Sequence, residues 1–205
     1  MKTMRAGVLV LAPLLSKFGK AKVSLPGGCS IGARPVNLHL DALKKLGAKI
    51  NVKNGYIDAS APKGLLGTNI KFSSISVGAT ESIIIAAVLA KGTTKISNAA
   101  IEPEVIDLIK FLNKCGADIK YNSKRKIIIK GVNFLYPVKH KIIPDRIEAG
   151  TYAIAALITN GKLLIKNVNN DHLQNIFSVL KKIGANIKTF KDSFVIFRKI
   201  GRAHV

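Results

Sequence analysis

The chain has 205 residues, 48% of them apolar and 21% charged, with two cysteines and a formal net charge of +22. These values place it among globular proteins and exclude a disordered, collagen-like or disulfide-framework chain. The longest apolar runs, Val8 to Leu15 and Ile83 to Ala90, hold eight residues each, against the roughly 18 that a membrane-spanning helix needs, so no membrane partner is expected.

In chain order, Met1 to Arg5 leads into an apolar stretch interrupted by Pro13 and lacking a small-residue cleavage site, which reads as a helix of the fold rather than a signal. That helix stops near Gly19, and a strand follows from Ala21 to Leu25. A loop, Pro26-Gly27-Gly28-Cys29-Ser30-Ile31-Gly32-Ala33-Arg34-Pro35, precedes an amphipathic helix that stops at Gly47. Next comes a hairpin turning at Asn54-Gly55. A strand from Asn69 to Phe72, an apolar helix ending near Gly92, a strand from Thr93 to Ser97, a helix stopping at Gly116 and a second hairpin complete the next section. Pro137 and Pro144 bracket a polar connection, Val138 to Lys141, that reads as a passage between domains. A strand is expected over Lys139 to Ile143, then a helix ending near Gly161, a strand from Leu163 to Asn167, a helix stopping at Gly184, and a last strand from Ser193 to Arg198.

Three segments share one pattern: Leu43 to Ile50, Leu112 to Ile119 and Leu180 to Ile187, with Gly47, Gly116 and Gly184 spaced 69 and 68 residues apart. Each closes a helix and opens a hairpin of alternating residues. With the strands and helices upstream, the unit reads βαβαββ and predicts α/β layers. The leading strand of the first unit is missing, so the chain is expected to begin inside a unit. Residues Ile200 to Val205 fit no repeat position and match one reading frame of a sequencing-library adapter; a native tail is the alternative.

The charge has two readings. An excess of cations draws polyanions, but the 27 lysines and six arginines lie along the whole chain beside 27 isoleucines, as a solvated surface coded by AT-rich DNA also would. The rarity of arginine marks each one as a candidate for bidentate oxyanion binding. The first unit also carries an insertion of four or five residues relative to its sisters, within the Pro26 to Pro35 loop. Glycines there let backbone approach a ligand, and a helix N-terminus beside Cys29 favours thiolate and anion alike; a structural cysteine is the other reading. Cys115 occupies the position of Leu46 and Ile183 and reads as an apolar filler. His39, His140, His172 and His204 have no metal-ligand spacing, and no P-loop or dinucleotide fingerprint occurs, so neither metal nor cofactor is expected. Two unpaired cysteines point to a reducing cytoplasm.

The string from Ser24 to His39 resembles the active-site loop of the UDP-N-acetylglucosamine 1-carboxyvinyltransferase family. Lys2 to Ala6, Ser76-Val77-Gly78-Ala79-Thr80 and Pro144 to Thr151 resemble three further motifs of that family, in its order and spacing. The resemblance implies an inside-out α/β barrel of the enolpyruvyl transferase type, two domains of three βαβαββ units each, in chains about twice this length. Residues 1–143 would then be the second and third units of the domain bearing the cysteine loop, and 144–199 the first unit of the other domain. The implied activity moves the enolpyruvyl group of phosphoenolpyruvate to the 3′-hydroxyl of UDP-N-acetylglucosamine and releases phosphate, a step of peptidoglycan synthesis. Those two small molecules are the implied partners; no nucleic acid is expected.

Carried over by resemblance, Cys29 is the catalytic acid and the nucleophile alkylated by fosfomycin. Arg34 and Arg5 bind phosphoenolpyruvate, and Arg34, Pro35, Val36, Asn37 and Leu38 form one sugar-nucleotide stretch. Ser74, Ile75, Ser76, Val77 and Gly78 form the other. Asp145 and Arg146 match a cleft-facing motif, with a structural role at the domain junction as the alternative. Two positions depart from the family: Asn37 stands where Asp is usual, and Ser74 where Lys is frequent. Arg125 and Arg198 are expected in solvent, and Tyr152 with its helix in the core. The family's Lys-Asn pair, its Asp acting on the sugar hydroxyl and its later arginines have no match, so the chain alone is expected to be inactive. The competing readings are an RNA-binding or cyclase-like protein of related fold, resting on charge, and a non-catalytic remnant.

Overall fold

The computed structural model describes residues 5–25 and 36–198, with side chains from residue 7 onward. The chain divides into two compact units, Met1–His140 and Lys141–Val205.

In the first unit a 3-10 segment, Arg5–Val10, runs into helix α1, Leu11–Phe18. Pro13 explains the change of winding: it has no N–H to give to Leu9 and its ring crowds that carbonyl, so α-helical geometry starts only at its own first turn. Gly19 ends α1 with φ 69°, its N–H bonded to the Leu15 carbonyl at 2.9 Å. Strand β1, Lys20–Ser24, helix α2, Asn37–Lys45, and strands β2, Lys49–Lys53, and β3, Tyr56–Ser60, follow. The sheet order is β1-β3-β2, all antiparallel. Asn54 and Gly55 turn the hairpin with φ 53° and 76°, the paired positive values of a type I′ turn.

The next section is a complete βαβαββ repeat: β4, Asn69–Lys71; α3, Val77–Ala87; β5, Thr93–Ser97; α4, Pro103–Lys114; β6, Asp118–Asn122; and β7, Lys126–Lys130. Its sheet runs β4-β5-β7-β6, with β4 and β5 parallel and the other pairs antiparallel. Helix α3 carries no polar face: Ala79, Ile83, Ile84, Ala86 and Ala87 are all buried, and α1, α2 and α4 pack around it. Two hydroxyls in its buried part are satisfied. Thr80 Oγ1 donates to the Ser76 carbonyl (2.7 Å) and accepts from the Ala100 N–H (3.0 Å), while Ser82 Oγ bonds His39 Nδ1 (2.9 Å). Glu81, on the flank toward α4, is half-buried; burial pushes its carboxyl up, and the charge of Glu104 adds to the effect. Cys115 is buried, as its place in the repeat predicts.

The connection after α3 is crossed by other backbone. Lys91 N–H bonds the Leu65 carbonyl and Gly67 N–H the Lys91 carbonyl, both at 2.8 Å; Val132 N–H bonds Val88 and Gly131 N–H bonds Gly92, at 2.8 and 2.9 Å. Gly131 lies so close that a Cβ there would stand 1.6 Å from the Ala90 carbonyl oxygen.

In the second unit, α5 spans Arg146–Ile158, β8 Lys162–Lys166, α6 Gln174–Lys182, β9 Ala185–Thr189 and β10 Ser193–Arg198, with sheet order β8-β10-β9, antiparallel throughout. Ala153, Leu173, Phe177, Phe194 and Ile196 form its core, the two phenylalanine rings meeting edge to face at 4.8 Å.

Gly47, Gly116 and Gly184 adopt φ of 94°, 99° and 92°, so the three sequence repeats are also three copies of one helix stop. Helix α5 ends near Gly161 as expected, with Asn160 left-handed at φ 53°. Three expectations need correction. Lys139 to Ile143 is not a strand: His140 is tied to Asp107 at 3.0 Å and lies against Phe111, while Pro144 removes a ladder donor immediately downstream. Tyr152 is 57% exposed, because the buried face of α5 is centred on Ala153 with Gly150 and Leu157, and Tyr152 lies about 100° round the helix from Ala153. Arg125 is not simply solvated: its Nη1 donates to the Ala99 carbonyl at 3.3 Å and stands 3.8 Å from Glu102.

Two outcomes follow from this packing. Gly131→Ala costs about 3 kcal/mol by overpacking against backbone, whereas Gly47→Ala, strained only by its positive φ, costs about 1–2 kcal/mol; urea midpoints of the two variants give the order. Since the folded state raises the Glu81 pKa above its ordinary 4.5, holding that charge costs stability once pH exceeds the folded value, and the cost vanishes below the unfolded value. Glu81→Gln is therefore more stable than the parent at pH 7, with the advantage shrinking toward pH 4 in the same assay.

Candidate active site

Two of the sequence stretches singled out for binding come together at the first turns of α2 and α3. Val36 precedes α2; Asn37 is exposed, Leu38 rests on the core, and His39 points across to α3. A Cβ built on Gly78 would stand 3.4 Å from His39 Cε1 and 3.8 Å from Leu9 Cδ2, ordinary contact distances that show α2, α3 and the 3-10 segment beginning at Arg5 converging at this point. The His39–Ser82 bond fastens the contact one turn further along α3. Ser76 caps α3, accepting from the Ala79 N–H at 3.3 Å. Ser74 and Ile75, just ahead of the cap, are exposed.

Electrostatically this corner favours anions. Each helix start presents N–H groups without an intrahelical acceptor and the positive end of a helix dipole. Neither first turn carries an acidic residue. The nearest carboxyl along α3 is Glu81, half-buried with its pKa raised by burial and by Glu104, and Asp41 lies further along α2.

Cys29, Arg34 and Pro35 lie outside the described residues, as does the side chain of Arg5. Their loop is anchored on described backbone at both ends: Leu25 N–H bonds the Gly55 carbonyl at 2.8 Å, and the Val36 carbonyl accepts from His39 and Leu40, each at 3.1 Å. In the second unit, the Asp145 carboxylate caps α5 by accepting from the Ile147 and Glu148 N–H groups at 2.7 and 3.0 Å, and Arg146 opens that helix half-buried. The aspartate thus has a structural task inside its own unit. Among the described residues no group of three or more His, Cys, Asp or Glu side chains is placed to hold a metal ion, and no helix is long and apolar enough to cross a membrane.

His39 and Ser82 were not singled out as site residues from the sequence. A signal was present: Ser82 is the polar residue that opens onto the apolar run from Ile83, four residues after Gly78 and on the same helical face.

Known proteins resemble this chain in sequence and in fold. The sequence model of the EPSP synthase (3-phosphoshikimate 1-carboxyvinyltransferase) family matches residues 1–203. A UDP-N-acetylglucosamine 1-carboxyvinyltransferase from Pelagibacter ubique is 56% identical over 195 residues, 95% of this chain and 47% of the relative. Another from Vesicomyosocius okutanii is 57% identical over 198 residues, 97% and 47% of the two chains. The chain spans about half the length of the curated relatives it matches. Among solved structures, the enolpyruvyl transferase NikO from Streptomyces tendae superposes with a TM-score of 0.76 at 22% identity, covering 93% of this chain and 46% of that one. An EPSP synthase from Acinetobacter baumannii gives 0.67 at 19%, covering 95% and 46%. These likenesses establish the fold as that of the enolpyruvyl transferases, present here in part. With the family model matched from end to end of the described chain, this protein belongs to the EPSP synthase family of carboxyvinyl transferases.

Proposed function

We propose that the protein to which this chain belongs transfers the enolpyruvyl group of phosphoenolpyruvate to the 3′-hydroxyl of UDP-N-acetylglucosamine, releasing phosphate, in the cytoplasmic assembly of peptidoglycan precursors. The observation that carries this reading is 50–57% identity, over 94–97% of the chain, to transferases named for that sugar nucleotide. Support comes from the anion-favouring corner where α2 and α3 begin, directly after the Gly-Gly-Cys loop.

In this scheme the sugar hydroxyl passes its proton to a carboxylate base that this chain does not supply and adds to C2 of phosphoenolpyruvate, while Cys29 gives a proton to the methylene carbon. The tetrahedral product then loses phosphate from C2 and a proton from the former methylene carbon, restoring the double bond. Arg34 and Arg5 hold the phosphate and carboxylate oxygens by bidentate contacts. Val36, Asn37 and Leu38 with Ser74 to Gly78 offer backbone N–H groups and hydroxyls to the diphosphate and uracil. Loss of a cation at Ser74 and of a carboxylate at Asn37 shifts more of this recognition onto backbone. Asp145 and Arg146 match a cleft-facing motif of the family, and within its own unit Asp145 fixes the start of α5. Residues 1–143 supply two of three units of one domain and 144–199 one unit of the other, so the 205-residue chain alone does not turn over.

Cysteine selectivity tests this assignment. Incubated with fosfomycin and digested for mass spectrometry, the chain extended to its neighbouring coding sequence is expected to carry the adduct on Cys29 with Cys115 unmodified, because the latter is buried. Cys29→Ser is expected to lower turnover by about 100-fold or more, the usual scale for losing a general acid. Equal modification of both thiols, or unchanged turnover in the serine variant, would remove Cys29 from the mechanism.

A further inference from the structure

The outer face of the β4-β5-β7-β6 sheet is unlike the outer faces of its two sisters. A concavity of about 510 Å³ lies there, lined by Lys45, Lys71, Lys95, Lys120 and Lys126 with no carboxylate among its lining residues. The strand register arranges four of these lysines in order. Asn69 pairs with Lys95, Lys95 with Ile128 and Ile128 with Lys120; on the neighbouring rung Lys71 pairs with Ser97, Ser97 with Lys126 and Lys126 with Asn122. Every lysine therefore has neutral residues directly across from it and another lysine on the diagonal, roughly 7–8 Å away. The result is an unbroken zigzag, Lys71–Lys95–Lys126–Lys120, with one cation on each strand. Among the described residues none of the four forms an ion pair; the acid of this face, Asp118, sits one rung beyond and is 3.8 Å from Lys130. In the first sheet the corresponding central position is Asp58, cross-strand from Lys22, and in the third it is Val195.

We propose that this sheet face binds single-stranded nucleic acid, with Lys71, Lys95, Lys126 and Lys120 following successive phosphates across the strands. A line of evenly spaced cations fits a linear polyanion better than a compact one. The concave surface does not fit a flat bilayer. Ile128, 41% exposed at the centre of the concavity, offers apolar surface to unstacked bases beside the cations, and a positively charged groove that tracks the backbone is the electrostatic half of sequence-tolerant single-strand binding. This inference rests on sheet geometry and is independent of the transferase reading.

The test is fluorescence anisotropy of a fluorescein-labelled oligouridylate titrated with the 205-residue chain between about 50 and 200 mM KCl, where phosphate contacts dominate the salt dependence. One variant replaces Lys71, Lys95, Lys120 and Lys126 with Gln. A control of equal charge loss replaces Lys20, Lys22, Lys49 and Lys53 on the first sheet. The expected result is a fall of about 2.8 in the log–log salt slope, at about 0.7 per phosphate contact, and at least about tenfold weaker binding in the first variant, with little change in the control. Equal losses in both variants would mean attraction by net charge alone and overturn the proposal, as would absence of binding by the parent chain. Should circular dichroism show the first variant unfolded, amide shift changes in the parent on adding the oligonucleotide decide the matter: changes on β4 to β7 support the site, and changes elsewhere refute it. Displacement of the oligonucleotide by phosphatidylglycerol vesicles, through the same four lysines, would assign the face to a lipid surface instead.

Discussion

Apart from half-buried Glu81, α3 presents apolar or hydrogen-bonded residues on nearly all sides, so it cannot rest on a sheet with one broad face to water, as an amphipathic helix does. It has to be enclosed, and α1, α2 and α4 enclose it. Ile83, Ile84 and Val88 are at most 1% exposed, and at roughly 1.5–3 kcal/mol for each fully buried side chain this helix alone supplies a large share of what opposes chain entropy in the first unit. The hydroxyls that interrupt it are matched one by one, Thr80 to Ala100 and Ser82 to His39. These bonds give an otherwise slippery apolar contact a definite rotation and depth.

That enclosure determines where chemistry is possible. A helix held on every side has its first turn fixed to within the play of its cap, and the start of α2 is fixed to it in turn through His39. A segment that leads into such a helix start meets a rigid landing point. Here Val36, the last anchor of the loop, is only three residues from the histidine that grips α3. Gly78 stands at that contact, beside the His39 ring and the end of Leu9.

Much of this was legible in the residues. The spacing of Gly47, Gly116 and Gly184 encodes three equal helix stops, and Asn54-Gly55 encodes its turn, because local backbone conformation alone decides those features. Strand β5 and strand β10 fall on the residues expected from alternation. The misreadings are all cases in which a distant partner decides. Lys139 to Ile143 has strand-like residues, but side chains of α4 hold His140 instead. Tyr152 belongs to an apolar helix whose buried stripe runs along another face, and Ile183, the counterpart of buried Leu46 and Cys115, is 62% exposed within a smaller unit that offers it no cover. The site divides in the same way. Motif strings located both helix starts, whereas the bond between His39 and Ser82 needed the fold.

The segment joining α3 to β5 inverts the usual character of a connection. Loops ordinarily lie over the surface and are where chains are cut, lengthened or reconnected. This one is overlaid on one side by residues 65–67 and on the other by Gly131 and Val132, each bonded to it through backbone. A protease would find its peptide bonds already engaged, and an inserted residue would have to break ties to two separate parts of the sequence at once. The natural points for splitting the first unit, or for rejoining it as a circular permutant, therefore lie at its hairpin tips near Asn54 and Lys124, while the short stretch from Val88 to Gly92 behaves as part of the core despite having no regular structure along most of its length.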